Sequence, residues 1–320
     1  MVEDACRLCA QKAPLVLSHV IPRFAVKWLK ETSATGYFRN LTSKVRQQET
    51  KRPRLLCSNC EQLLGRDEKR FAEAIFVPYH QQPRPTSFTY EEWFLRFLVG
   101  LHWRALVTSE SIPQELRGPF ATAETRWQQY LLGHAPDPGT SEFHVQFVDV
   151  IQHTTFKPPS KINWYLARSF DATPIHSAAG EALLYFKLGC IVAVSFITPR
   201  NPKEEDWNGT QVFARGTITT NQKISTTRFG AFFLERAEMI TNAAPTLTDR
   251  QKEKLLKKAQ TNPEVILNSD SFRVHLADRT MRTGPESKIP VYFKGRDRNK
   301  LCPCNSGYKV KKCCGRYIQP

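Results

Sequence analysis

The stretches Cys6-Arg7-Leu8-Cys9 and Leu55-Leu56-Cys57-Ser58-Asn59-Cys60-Glu61 decide how the first quarter of this 320-residue chain folds. Each carries two cysteines with two residues between them, a spacing that lets both thiolates reach one ion. Two such pairs complete a four-sulfur tetrahedral shell for zinc. A second set, Cys302, Cys304, Cys313 and Cys314 in CPCNSGYKVKKCCG, offers the same chemistry at the far end, where Asn305, Ser306 and Gly307 turn the chain back on itself. So short a segment has no core of its own, and metal binding becomes its folding energy. Two structural zinc ions therefore account for eight of the nine cysteines and leave Cys190 over. An odd count in tight pairs, after a start that is acidic rather than basic and then apolar, points to thiolate ligands in a reducing cytoplasm. No run of apolar residues reaches the length that crosses a bilayer, so a membrane partner is not expected.

Moving outward from the cysteines, the formal charge of +16 is unevenly placed. Residues 1–80 hold 14 Lys and Arg against 8 Asp and Glu, residues 81–249 hold 15 against 16, and residues 250–320 hold 17 against 6. The excess lies in the two cysteine-bearing ends, the pattern of a polyanion footprint flanking a neutral body, or of a solvated basic surface. In the first end, Arg46, Lys51, Arg52 and Arg54 form a basic run suited to a phosphate backbone or to a solvated loop.

The expected fold class is α+β, in four parts: a zinc-binding unit over 1–80, a helical connector over 81–140, an α+β unit over 141–295 and a zinc-binding tail over 296–320. Phe24 to Lys30 reads as a short helix, and Glu61 onward as a longer one that ends before Pro78. After the linker HQQPRPTS, apolar residues from Tyr90 to His102 recur at helical spacing, and a second helix spans roughly Ile112 to Leu132. The period then changes. FHVQFVDVI, INWYLARSFD, LLYFKLGCIVAVSFITP and TQVFARGTITT read as four strands of a mixed or antiparallel sheet, the third central and burying Cys190. GAFFLERAEMI and TDRQKEKLLKKAQ read as helices, the latter capped by Thr248 or Asp249.

The tail CPCNSGYKVKKCCG with its basic lead-in GRDRNKL resembles the SEC-C motif, a zinc-binding tail found on the bacterial preprotein-translocase ATPase and on many otherwise unrelated proteins. Asn305 stands where that motif usually has glycine, and the fourth ligand is cysteine where some members have histidine. The resemblance implies an interaction module for a protein partner or nucleic acid. At the other end, residues 6–75 resemble the HNH endonuclease fold and, more closely, an uncharacterised bacterial HNH-like family with a leading cysteine pair, a Ser-His-Ile-Ile-Pro-like stretch and a Leu-Cys-x-x-Cys-Glu stretch. Here these are Cys6 and Cys9, Ser18-His19-Val20-Ile21-Pro22, and Leu56 to Glu61. The resemblance implies a zinc knuckle of HNH-like or treble-clef character and a hairpin histidine, His19, acting as general base beside a magnesium- or manganese-like ion. Ser18 stands where the fold usually has Asp or His, so the carboxylate would come from Glu61 or Glu68.

Each residue has a plainer reading. His19 is either that base or a histidine that only packs within the knuckle. Glu61 and Glu68 are either metal ligands or carboxylates on an exposed helix face. Trp93, Trp103, Trp127 and Trp164 fall in patterned elements and read as core. His144, His153 and His176 would form a second cluster only if the sheet brought them together. No Walker loop, GxGxxG or GxSxG is present, which leaves nucleotide hydrolysis and serine-esterase chemistry without support. The two functions in play are a zinc-containing, nucleic-acid-binding endonuclease and a non-catalytic adaptor with two structural zinc modules; an enzyme site in the neutral sheet unit is the remainder.

Overall fold

The computed structural model describes residues 3–34, 38–39, 46–47, 52–110, 112–154, 157–176, 180–200, 207–222, 228–243, 248–283, 299–301 and 309. The C-terminal cysteines Cys302, Cys304, Cys313 and Cys314, and Lys51, lie outside them. The chain opens with β1 (Glu3–Ala5) and β2 (Lys12–Leu17), then α1 (Arg23–Glu31), a two-residue pair β3 (Phe38–Arg39) and β4 (Arg46–Gln47), and β5 (Arg54–Cys57). The order β1-β2-β5 makes a three-stranded antiparallel sheet. From Cys57 the chain passes directly into α2 (Ser58–Phe71), a π-helical stretch over Ala72–Phe76 and α3 (Val77–His80).

The expected stop before Pro78 does not occur. Proline removes one donor from a helical ladder, and the wide turn just ahead of it, where the ladder already changes register, is where such a loss is most easily absorbed.

Next come β6 (Ser87–Tyr90), α4 (Glu92–Val107), a 3-10 turn over Gln114–Leu116, α5 (Arg117–Leu131), β7 (Glu142–Phe147), β8 (His153–Thr154) and α6 (Ile162–Arg168). INWYLAR is thus a helix and not a strand. Its buried Ile162, Tyr165 and Leu166 follow helical spacing, which outweighs their β-favouring side chains. Then follow β9 (Phe170–His176), β10 (Ala182–Leu188) and β11 (Ile191–Phe196). The long apolar run is therefore a hairpin and not one strand: it turns at Gly189, whose φ of 57° suits glycine. TQVFARGTITT is split: around Gln211 it bridges His144 of β7, with Val145 N–H donating to Thr210 C=O and Val212 N–H to Phe143 C=O, and beyond that β12 (Gly216–Thr219) pairs with β6 outside the main sheet.

That main sheet has the order β7-β11-β10-β9, antiparallel throughout. Every residue of β10 and β11 is buried because both faces are covered. Leu184, Phe186 and Ala193 share a core cluster with Trp103 and Trp127, while Leu183, Tyr185 and Val192 join Tyr165, Phe233 and Ala237 on the other side. The first cluster runs without a break from Cys6 through Leu64, Phe97 and Phe186 to Val274, so the N-terminal cysteine-bearing segment, the helices after it and the sheet share one core.

Lys187, fully buried on the second face, donates its ammonium to the carbonyls of Leu166, Ser169 and Gly189 at 2.9, 3.3 and 2.5 Å. Cys190 is buried, as expected. Trp93, Trp103 and Trp127 are buried as well, which bears out their reading as core.

The chain finishes with α7 (Arg228–Ala243), α8 (Asp249–Thr261), α9 (Pro263–Leu267), α10 (Asp270–Thr280) and β13 (Arg282–Thr283). α10 is a clasp across the fold. Ser271 N–H donates to Thr32 C=O at 3.3 Å, and Ser271 Oγ accepts from Ala34 N–H at 2.9 Å. Asp270 pairs with the buried Arg168 at 3.0 Å, and Asp278 accepts two N–H groups at the start of α6, from Asn163 and Trp164. Among the described residues no helix is long and apolar enough to cross a membrane.

Candidate metal centre and the histidine beside it

One turn and one helix start bring four sulfurs together. Cys6 and Cys9 flank the turn between β1 and β2, where Ala10 N–H donates to Cys6 C=O at 2.8 Å and Cys6 N–H donates to Gln11 C=O at 2.9 Å. This closure leaves the exposed Ala10 with a left-handed backbone, φ 60°. The conformation costs an L-residue about 1–2 kcal/mol and glycine little. Ala10→Gly is therefore expected to raise stability by about 0.5–1 kcal/mol after glycine's greater unfolded freedom is subtracted. A thermal melt at constant zinc content checks this, and an unchanged or lowered midpoint would show that the turn holds no strain.

Cys57 stands at the N-cap of α2 and Cys60 in its first turn. Cys57 N–H points at Cys6 Sγ, 3.3 Å away. All four Sγ atoms lie within 4.8 Å of one another, and Cys9 Sγ is 3.9 Å from Cys57 Sγ. Zinc bonded tetrahedrally to thiolates at about 2.3 Å requires S···S separations of about 3.8 Å, whereas a disulfide needs about 2.05 Å. The four sulfurs therefore fit zinc, and they are unbridged.

Their electrostatics agree. Burial opposes ionisation of Cys6, but the N–H groups of Cys9, Cys57 and Leu8 outweigh it and bring that thiol down to about 7. Burial pushes Cys9 and Cys60 up, and for Cys60 the surrounding sulfurs add to it. One thiolate forms readily and its neighbours resist a second. A dication removes that conflict.

His19 follows the end of β2. Ser18 N–H donates to Pro53 C=O at 2.9 Å, which fixes the exit of the strand, and Pro22 then precedes α1 without wasting a helical donor. His19 is half-buried. Burial lowers its pKa, Arg52 and Arg23 lower it further, and Glu61 and Glu68 oppose them. The imidazole is thus neutral at pH 7 with two carboxylates and two guanidinium groups as its charged neighbours.

The two carboxylates differ. Glu61 sits in the first turn of α2, where a negative charge is favoured, and one of its carboxylate oxygens is shielded from solvent with no hydrogen-bond partner. The fully buried Ser18 Oγ is likewise without one. Glu68 instead meets Arg104 of α4, a residue only 2% exposed, whose guanidinium also reaches the His19 carbonyl at 3.4 Å. Among the described residues the four cysteines are the only group of three or more metal-ligating side chains gathered this closely.

Of the basic run, Arg54 donates to Leu15 C=O at 2.8 Å and so helps close the β2–β5 pair. Arg52 lies in the electrostatic surroundings of His19. Arg46 belongs to β4, and its side chain is outside the described residues. The possible second histidine cluster does not form: His144 and the exposed His176 sit on β7 and β9, the opposite edge strands of the four-stranded sheet, about 14 Å apart at the usual strand spacing. His144 bonds instead to Thr210 Oγ1 at 2.9 Å and Glu142 at 3.1 Å.

Sequence reasoning missed Arg104. The signal was there, since one cation in the apolar phase of LVGLHWRALV needs a buried partner. No protein-family model, no curated protein and no solved structure matches this chain.

Proposed function

We propose that this is a zinc-containing nucleic-acid-binding protein of treble-clef, HNH-like plan, in which His19 serves as general base for phosphodiester hydrolysis. One observation carries the reading. The pairing of β2 with β5 and the passage of β5 straight into α2 leave His19, neutral through burial, within the electrostatic reach of Glu61, a carboxylate with an unused, shielded oxygen that directly follows Cys60 of the four-cysteine site. His19 would take the proton from a water whose oxygen attacks phosphorus as the P–O bond to the leaving oxygen breaks. Arg52 and Arg23 would hold the phosphate against it.

Glu61 would hold a divalent ion such as Mg2+ or Mn2+, which needs only one or two carboxylates when substrate phosphate completes its shell. Such an ion, when bound, supplies charge stabilisation for the phosphate and leaving oxygen. The C-terminal cysteines would bind a second zinc and present a docking module in the same reducing compartment.

The engagement of Glu68 by Arg104 favours a second reading, a non-catalytic adaptor whose zinc sites are structural, because it leaves a single carboxylate for any divalent ion. Cleavage of plasmid DNA and structured RNA by zinc-loaded protein with added magnesium or manganese separates the two. His19→Ala is expected to lower the rate about 100- to 10,000-fold with zinc content and melting unchanged. Absence of any cutting by the unaltered protein with any of these metals and substrates would shift the reading to the adaptor.

A further inference from the structure

The two residues between Cys6 and Cys9 are gripped by elements outside their own turn. Arg7 N–H donates to the Leu55 carbonyl of β5 at 3.0 Å, and the Arg7 guanidinium pairs with Glu124 of α5 at 2.7 Å. Leu8 is fully buried, and its carbonyl accepts from the side-chain amide of Gln128. Glu124 and Gln128 are one helical turn apart and share a face. α5 belongs to the connector, yet it holds the turn that carries Cys6 and Cys9.

Two features separate this grip from ordinary helix packing. The bonds that close the turn, Ala10 N–H to Cys6 C=O and Cys6 N–H to Gln11 C=O, do not involve the Leu8 carbonyl, and Gln128 supplies its donor. A carbonyl only accepts, so the Gln128 amide must present its NH2 to the turn. That carbonyl and the Cys9 N–H are also the two ends of one peptide unit, and the Cys9 N–H is directed at the Cys6 sulfur. A chain therefore runs from the Gln128 amide through the Leu8–Cys9 peptide to a thiol ligand, and each bond in such a chain polarises the next. Four thiolates carry more charge than one dication cancels, and N–H donors aimed at the sulfurs offset the excess.

We propose that Gln128 is a positioning residue of the four-cysteine site: by gripping the Leu8–Cys9 peptide from α5 it holds the first thiol turn in its zinc-binding form and strengthens the N–H bond to Cys6. The Arg7–Glu124 pair steadies the same turn but is largely solvated and contributes less. The coupling is reciprocal. Whatever α5 adds to zinc affinity, bound zinc adds to the docking of α5, so the connector responds to occupancy of the metal site. The inference rests on the zinc reading of the four cysteines and needs no nuclease activity.

The test is competition for zinc between a chromophoric chelator and the full-length chain carrying Cys302→Ser, Cys304→Ser, Cys313→Ser and Cys314→Ser, so that one four-cysteine site is read. Gln128→Met keeps the length and helix propensity of the side chain but has no donor, and is expected to weaken zinc binding about 10- to 100-fold. Gln129→Met, at an exposed neighbouring position of α5, should bind as the parent does. Cobalt in place of zinc gives a second reading. A weaker N–H bond to sulfur raises the sulfur lone pairs, so the sulfur-to-cobalt charge-transfer band should move to longer wavelength in Gln128→Met and not in Gln129→Met. Glu124→Gln loosens the same grip at its solvated end and should weaken zinc about two- to fivefold; should Gln128→Met fail to fold, unchanged binding in Glu124→Gln would overturn the proposal. Equal affinity and an unmoved band in a folded Gln128→Met, or equal weakening in Gln129→Met, would also overturn it. No zinc binding by the parent would overturn it together with the four-cysteine site, whatever the cleavage assay shows.

Discussion

Replacing Cys6 with serine should remove one zinc ion per chain and destabilise the protein by on the order of 5–10 kcal/mol, because the free energy of a four-thiolate zinc site is folding free energy. Cys6 is 1% exposed, and its sulfur receives the Cys57 N–H in addition to any metal. The damage should also spread. Cys6, Cys57 and Cys60 belong to the same buried cluster as Phe71, Phe97 and the central sheet, and Cys9 packs against it, so no boundary confines the loss to the first 80 residues. Metal analysis with thermal melting checks this. A chelator should lower the midpoint of the unaltered protein and have much less left to remove at this site in the variant. Unchanged zinc content and melting in Cys6→Ser would mean that the four sulfurs do not hold the ion.

Arg104→Met should cost about 3–5 kcal/mol, the usual consequence of stripping one partner from a buried ion pair. The guanidinium is only 2% exposed, and its loss leaves the Glu68 carboxylate and the His19 carbonyl without their donor. The double variant Arg104→Met with Glu68→Gln should recover most of the loss, since the abandoned charge is then gone. Urea denaturation of the two variants measures both effects. If the single variant is as stable as the unaltered protein, the pair contributes no net stability and Arg104 has some other reason to be buried. If the double variant is no better than the single one, the cost lies in packing around the arginine stem rather than in charge.

How far the sequence could be read depended on which force dominated each segment. The four N-terminal cysteines were legible because metal geometry leaves few alternatives, and they do converge. The helix from Phe24 to Lys30 was legible because one face is apolar at a steady period, whereas the one expected from Tyr90 begins only at Glu92, since Tyr90 belongs to β6, and it is buried almost all round. Periodicity fails where both faces are covered. INWYLAR and LLYFKLGCIVAVSF are apolar almost throughout, so the first hid a helix and the second hid a turn; the only local clue to that turn was Gly189. Pro78 misled for the opposite reason, because a local rule was absorbed by the π-helical register ahead of it. At the candidate site, His19 and Glu61 could be named in advance, but the engagement of Glu68 could not. Its partner is 36 residues away on another helix, and only packing brings them together.

The clasp made by α10 sets a timetable for the chain's birth. Ala34 donates to Ser271, 237 residues further on, and Arg168 awaits Asp270 across 102. At about 5–20 residues per second of synthesis, the first of these contacts is denied its partner for roughly 10–50 s. During that interval the carbonyl of Thr32 and the N–H of Ala34 lack the contacts that Ser271 later supplies. A nascent chain stalled before residue 269 would therefore carry its N-terminal cysteines with this end of the fold unfastened.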